Sequence, residues 1–137
     1  MKFSPLFLLL LLTSTIGSSR CFDIADMCGN DVYRGYPSPN GKLKAVVFER
    51  DCGATSPFST QVSILGRDER LENVPGNAFV GSDAGSAPLT DHSTMEKFEV
   101  RWLDDDHMLI RYDARGFSRE TDPKIVNNVQ VRIEQIP

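Results

Sequence analysis

Tyr33-Arg34-Gly35-Tyr36-Pro37-Ser38-Pro39-Asn40-Gly41-Lys42-Leu43-Lys44-Ala45-Val46-Val47-Phe48-Glu49-Arg50-Asp51 is the stretch that decides the fold class. Its middle, Ser38-Pro39-Asn40-Gly41, is a turn signal, because proline presets φ and Asn-Gly suits a tight hairpin connection. Tyr33–Pro37 before it and Lys42–Asp51 after it are therefore expected to pair. In the second arm Leu43, Ala45 and Val47 share one face. Val46 and Phe48 share the other, between Lys44 and Arg50. A strand that is apolar on both faces at its centre belongs inside a sheet covered on both sides.

The same period of two continues outward along the chain. Phe58, Thr60, Val62 and Ile64 fall on one face, opposite Ser59, Gln61 and Ser63. Phe98, Val100 and Trp102 alternate with Glu99 and Arg101. Past the Asp104-Asp105-Asp106-His107 turn, Met108, Ile110 and Tyr112 alternate with Arg111 and Asp113. Ile125, Val129, Val131 and Ile133 alternate with Gln130, Arg132 and Glu134. Phe98, Trp102 and Tyr112 are expected in the core, and no helical periodicity of useful length follows residue 28. The expected fold is all-β and mainly antiparallel, a small sandwich or partly open barrel of about five to seven strands. Two stretches interrupt the ladder: Gly66–Lys97, with one short strand expected at Asn77–Val80, and the polar Ala114–Lys124. Long connections of this kind are candidate binding edges.

Upstream, Lys2 precedes the apolar run Leu6–Leu12, which is followed by Thr13-Ser14-Thr15-Ile16-Gly17-Ser18-Ser19. Positive charge, apolar stretch and small residues in that order predict a signal peptide over 1–19, cleaved after Gly17 or Ser19. The run is far shorter than the roughly 20 apolar residues of a spanning helix. A flexible leader over 20–27 and a single β domain over 28–137 complete the expected organisation. The expected location is the periplasm or the extracellular space.

The chain carries 15 basic and 19 acidic side chains, a formal charge of −4. Residues 1–19 contain Lys2 and no acid, so 14 basic residues against 19 acidic ones leave −5 on the exported part. An acidic domain without a Lys/Arg cluster excludes nucleic acid as the expected partner, since phosphate backbones select for neutralising patches.

Cys21, Cys28 and Cys52 are the three cysteines. Export to an oxidising compartment predicts one disulfide and one thiol left over. The favoured pair is Cys28–Cys52, which closes a loop of about 25 residues and contributes about 3 kcal/mol. Cys21 then lies where a bacterial lipoprotein carries its acylated cysteine. A lipobox has a small residue before that cysteine, however, and here Arg20 argues against acylation.

The segments Cys28-Gly29-Asn30, Pro37-Ser38-Pro39-Asn40-Gly41-Lys42, Ala45-Val46-Val47-Phe48-Glu49-Arg50-Asp51-Cys52-Gly53-Ala54-Thr55 and Phe58-Ser59-Thr60-Gln61-Val62-Ser63-Ile64 resemble a family of small uncharacterised bacterial envelope proteins, many of them lipoprotein-like. The resemblance covers the first third of the exported part. It implies an envelope location and supports the Cys28–Cys52 pairing. It implies no reaction, ligand or catalytic residue.

Glu49, Arg50, Asp51 and Thr55, beside that bridge, form the candidate interaction patch. In one reading Arg50, Asp51 and Thr55 are a polar surface fixed by the disulfide, with Gly53 admitting a partner's backbone. In the other, Asp51 satisfies backbone N–H groups at the strand end and Gly53 supplies a positive φ. Asp91-His92-Ser93 holds three triad residue types, but adjacent side chains cannot build a nucleophile–base–orienter geometry, and no Gly-x-Ser-x-Gly elbow accompanies them. Asp104-Asp105-Asp106-His107 lacks calcium-loop spacing and reads as a solvated turn. No zinc-ligand spacing occurs among the cysteines and histidines. Gly76, Gly81 and Gly85 open no helix and make no phosphate loop.

No catalytic residue, cofactor or metal is therefore expected. The expected function is a non-enzymatic envelope interaction module, of the kind an inhibitor or immunity protein represents. Its expected partner is another envelope protein or a cell-wall component. The competing expectations are an accessory, lipoprotein-like structural component and, last, an enzyme without an identifiable nucleophile–base pair.

Overall fold

The computed structural model describes residues 27–83, 98–113, 117–119 and 125–136. The expected signal peptide, Cys21 and Asp91-His92-Ser93 lie outside them. The described residues form nine strands: β1 (Gly29–Pro37), β2 (Leu43–Asp51), β3 (Ser59–Gly66), β4 (Phe79–Asp83), β5 (Phe98–Trp102), β6 (His107–Asp113), β7 (Phe117–Arg119), β8 (Ile125–Val126) and β9 (Val129–Ile136). They make two sheets, ordered β1-β2-β3-β4-β7 and β5-β6-β9-β8. The all-β expectation holds. The strand count is higher because β7 and β8, three and two residues long, are too short to show a periodic pattern. Among the described residues no helix is long and apolar enough to cross a membrane.

The expected hairpin is β1–β2, paired from Gly29↔Asp51 to Pro37↔Lys44. Its turn is wider than a two-residue Asn-Gly connection. The Gly41 N–H donates to Ser38 O at 2.9 Å, and the Ser38 N–H donates to Leu43 O at 2.9 Å. Gly41 takes a positive φ of 68°. The register slips between Val32 and Arg34, where Tyr33 is the extra residue of a bulge. That slip turns Tyr36 toward the core while Asn30 and Val32 stay on the outer face.

The sheets bury one core between them. Ala45, Val47, Val62, Ile64 and Phe79 come from the first sheet, and Phe98, Val100, Met108, Ile110, Tyr112, Val129 and Val131 from the second. Phe79 sits at the join, with its ring centroid 5.2 Å from Phe98 and 5.5 Å from Tyr112, both tilted. Such tilted pairs contribute about 0.5–1.5 kcal/mol beyond area burial. Trp102 packs at the margin, and its Nε1 donates to Tyr36 O at 2.9 Å, linking the β5 edge to the β1 edge.

Two residues of the alternating apolar pattern lie outside the core. Phe58 precedes β3 and is 39% exposed, because the β2–β3 ladder ends at Arg50↔Ser59. Ile125 is 67% exposed, because Asn127 and Asn128 (φ 49° and 64°) form a two-residue turn that sets Val126 opposite Val129. Val126, not Ile125, then shares the core face. The ladder also contains one parallel pair, β6 with β9, reached by the long connection through β7 and β8.

The outer face of the first sheet is covered as well, as the two-sided pattern of β2 requires. Val46, Phe48 and Leu65 form a second cluster against Leu71. Leu71 belongs to the segment 67–78, which lies across the sheet as a strap. The Asn77 side chain stands in for backbone, accepting from Ile64 N at 2.8 Å and donating to Ile64 O at 3.0 Å. The Gly76 N–H donates to Gln61 Oε1 at 2.6 Å. A Cβ on Gly76 would lie 2.7 Å from both Phe79 O and Val62 O, so the strap approaches closely only with glycine there.

Candidate functional site

The bridge expected between Cys28 and Cys52 is present and ties the start of β1 to the end of β2. Beside it, the alternation of β2 divides the candidate patch. Arg50 points to the outer, strap-covered face with Phe48. Glu49 and Asp51 fall on the opposite face, where Glu49 is in register with Asp31 and Thr60. Thr55 lies exposed in the connection to β3. Asp51 and Gly53 follow the structural reading: Asp51 Oδ1 accepts from Gly53 N at 2.8 Å, and Gly53 has a φ of 98°.

Arg50 is placed differently from a surface residue, being only 6% exposed. Its Nη1 donates to Asn30 Oδ1 at 2.6 Å and to Asn73 Oδ1 at 2.9 Å. Both amides are themselves anchored. Asn30 Nδ2 donates to Glu72 O and Val74 O at 2.9 and 3.0 Å, and Asn73 Nδ2 donates to Cys28 O at 2.7 Å. One guanidinium nitrogen thus joins β1, β2, the strap and the disulfide. Its partners are neutral, and no carboxylate of the described residues pairs with it. Buried charges ordinarily have a counter-charge.

Strand register sets Asn30, Arg50, Ser59 and Ser82 in one row across β1 to β4, with Gln61 and Val80 in the next row. Above them opens a depression of about 340 Å³, lined by Arg50, Cys52, Ser56, Pro57, Ser59, Gln61, Pro75, Val80 and Ser82. Gln61 Nε2 donates to Ser59 Oγ at 2.9 Å, and Ser59 Oγ donates to Gly81 O at 3.2 Å, which fixes the floor. Phe58 and Val74, both exposed, stand next in sequence to the wall residues Pro57 and Pro75. Other depressions of similar size include two away from this end of the sheet. One, of about 480 Å³, is lined by Gly35, Pro37, Gly41, Leu43, Lys44 and Arg67. The other, of about 350 Å³, is lined by Leu103, His107, Met108, Gln130, Val131 and Arg132. Neither has a buried charge at its floor. Asn73 and Ser82 carry no signal of their own in the sequence, and the row that Asn30, Arg50, Ser59 and Ser82 share depends on strand register.

The acidic turn is engaged internally. Asp104 Oδ1 accepts from Asp106 N at 2.8 Å and lies 2.8 Å from His107 Nδ1. Asp105 Oδ1 accepts from Asn40 N at 2.8 Å, which joins this turn to the β1–β2 turn. No group of three or more metal-ligating side chains occurs among the described residues. The His107 hydrogen bond, with help from the Asp106 N–H, lowers the pKa of Asp104 below 3.8. The same bond and the Asp104 charge raise the pKa of His107 above 6.5. His107 therefore adds stability that is complete below 6.5 and lost as pH rises through its raised value. Asp104 adds stability that is present above 3.8 and lost as pH falls through its lowered value. The pair braces the turn best between 3.8 and 6.5, with a small effect because both groups are exposed. An NMR titration should place the His107 midpoint above 6.5, and Asp104→Asn should return it toward that value. An unchanged midpoint in Asp104→Asn would contradict the pairing.

Comparison of the chain with protein-family models, with curated proteins and with solved structures returns no match.

Proposed function

We propose that the protein is an exported, non-enzymatic interaction module of the bacterial envelope, and that its contact surface is the disulfide end of the first sheet. The observation that carries this reading is the depression beside Cys52, rigid at its floor and rimmed by exposed side chains. Its floor residues sit on three adjacent strands and its wall is tied down through the bridge and the strap. A contact surface held this way loses little freedom on binding, which favours recognition. Phe58 and Val74 supply the apolar contact that anchors a polypeptide partner, and Thr55 and Ser56 supply polar rim. Periplasmic or extracellular placement rests on the charged, apolar and small-residue order of residues 1–19, and Arg20 favours release over a lipid anchor. The partner is another envelope protein or a cell-wall component.

The test is quantitative co-purification from an envelope extract, with the tagged chain and with Phe58→Asp. The wild-type chain should retain one partner in a constant ratio over a range of salt. Phe58→Asp should retain it at least tenfold less while melting at the same temperature, since Phe58 lies outside the core. Equal retention by both chains would overturn the assignment of this surface.

A further inference from the structure

The lining of the same depression also identifies the chemistry of its occupant. We infer that it is a carboxylate receptor, taking a chain-terminal or side-chain carboxylate of a partner polypeptide onto Arg50. The inference rests on the proposed contact surface and specifies what that surface recognises.

Three observations converge. Arg50 is a charge held 94% out of solvent, and its only hydrogen-bond partners among the described residues are the neutral amides of Asn30 and Asn73. Both contacts use Nη1. The donors left over are Nε and Nη2, the parallel pair of the guanidinium fork that takes a carboxylate bidentately. Second, Arg50 lines the depression, whose lining contains no acid. Third, Gln61 Nε2 keeps a second N–H beyond the one it gives to Ser59 Oγ, and Ser56 adds a hydroxyl to the lining, polar surroundings of the kind a desolvated anion requires. A guanidinium this buried without a counter-charge is costly to the free protein, and a bound carboxylate removes that cost. The overall charge of the domain is negative, so the attraction is local to this site.

The two amides that hold Nη1 also fix the plane of the fork. Asn30 is pinned by two carbonyls of the strap and Asn73 by the carbonyl of Cys28. Arg50 is thus oriented before any ligand arrives, and a carboxylate meets a preformed geometry, not a mobile side chain.

The experiment uses the whole exported chain and a trialanine peptide with an acetylated N-terminus, once with a free C-terminal carboxylate and once as the C-terminal amide. Binding is followed by the NMR signals of the Arg50 Nε–H and the backbone amides of Ser56 and Ser59. The free acid should shift these signals saturably, and the amide should leave them in place. Ser56→Asp sets a carboxylate on the depression wall without touching the Arg50–Asn30–Asn73 contacts. It should weaken the peptide at least tenfold with the fold intact. Arg50→Gln should abolish the shift.

Acid and amide peptides that act alike, or an undiminished response in Ser56→Asp, would overturn the inference. So would inorganic phosphate or sulfate that saturates the same signals at lower concentration than the peptide acid, since the site would then select a tetrahedral oxyanion. Failure of the peptide with Phe58-dependent co-purification retained would remove the carboxylate and leave the contact surface standing. Loss of both would remove the surface too.

Discussion

Phe79→Ala is expected to destabilise the protein by about 3–5 kcal/mol, the usual range for removing a buried phenyl ring. Phe79 is fully buried, and it is where the two sheets meet: it comes from β4 and packs against Phe98 of β5 and Tyr112 of β6. Alanine leaves a cavity with aromatic walls that the backbone of two hydrogen-bonded sheets cannot collapse into. The melting temperature should fall by about 15 °C, on the usual entropy of a domain of this size. Urea unfolding should show a lower midpoint with an unchanged slope, because the surface exposed on unfolding is the same. Phe79→Leu keeps most of the volume and should recover more than half of the loss. A loss of stability below about 1 kcal/mol would mean that the sheets do not share a core at this position.

Removing the bridge by replacing Cys28 and Cys52 with serine is expected to cost about 3 kcal/mol, the entropy of a loop whose ends are 24 residues apart. Two signatures separate this loss from a packing defect. The urea slope should rise, because an unfolded chain without the cross-link exposes more surface. Hydrogen exchange should quicken most at residues 72–75, where Asn73 is bonded to Cys28 O and Asn30 to the carbonyls of Glu72 and Val74. The amides of β6 and β9, at the far side of the core, should lose only the global component. Uniform acceleration in every strand, with an unchanged slope, would contradict a local role for the bridge.

Much of this architecture is legible in the sequence, because one hairpin states the rule for the rest. Ala45-Val46-Val47-Phe48 is apolar on both faces between Lys44 and Glu49, so a covered sheet follows from local pattern alone. The turn at Ser38–Gly41 and the strand at Phe98–Trp102 are readable for the same reason. The direction of β9 is not, since period two is the same in parallel and antiparallel strands. Asn127-Asn128 reads as ordinary polar sequence, although asparagine tolerates the left-handed region that its φ values occupy.

The candidate site was only half legible. Cys28, Cys52, Arg50 and Thr55 lie at the end of the domain where the proposed contact surface opens, and Asp51 with Gly53 closes a local turn that its two residue types announce. What the sequence hides is the burial of Arg50. A charged residue at the end of an alternating strand reads as solvated. Its burial depends on a strap that begins beyond Gly66 and meets it through Asn73. The row formed by Asn30, Arg50, Ser59 and Ser82 depends on four strands in register, and no one segment contains it.

The most direct test of the contact surface is photo-crosslinking in intact cells. The cross-linker is placed either at Thr55, beside the depression, or at Arg67, exposed at the opposite end of the first sheet. One discrete adduct is expected from Thr55, lost when Phe58→Asp is added, and none from Arg67. The same adduct from both positions, or one from Arg67 alone, would contradict the contact surface.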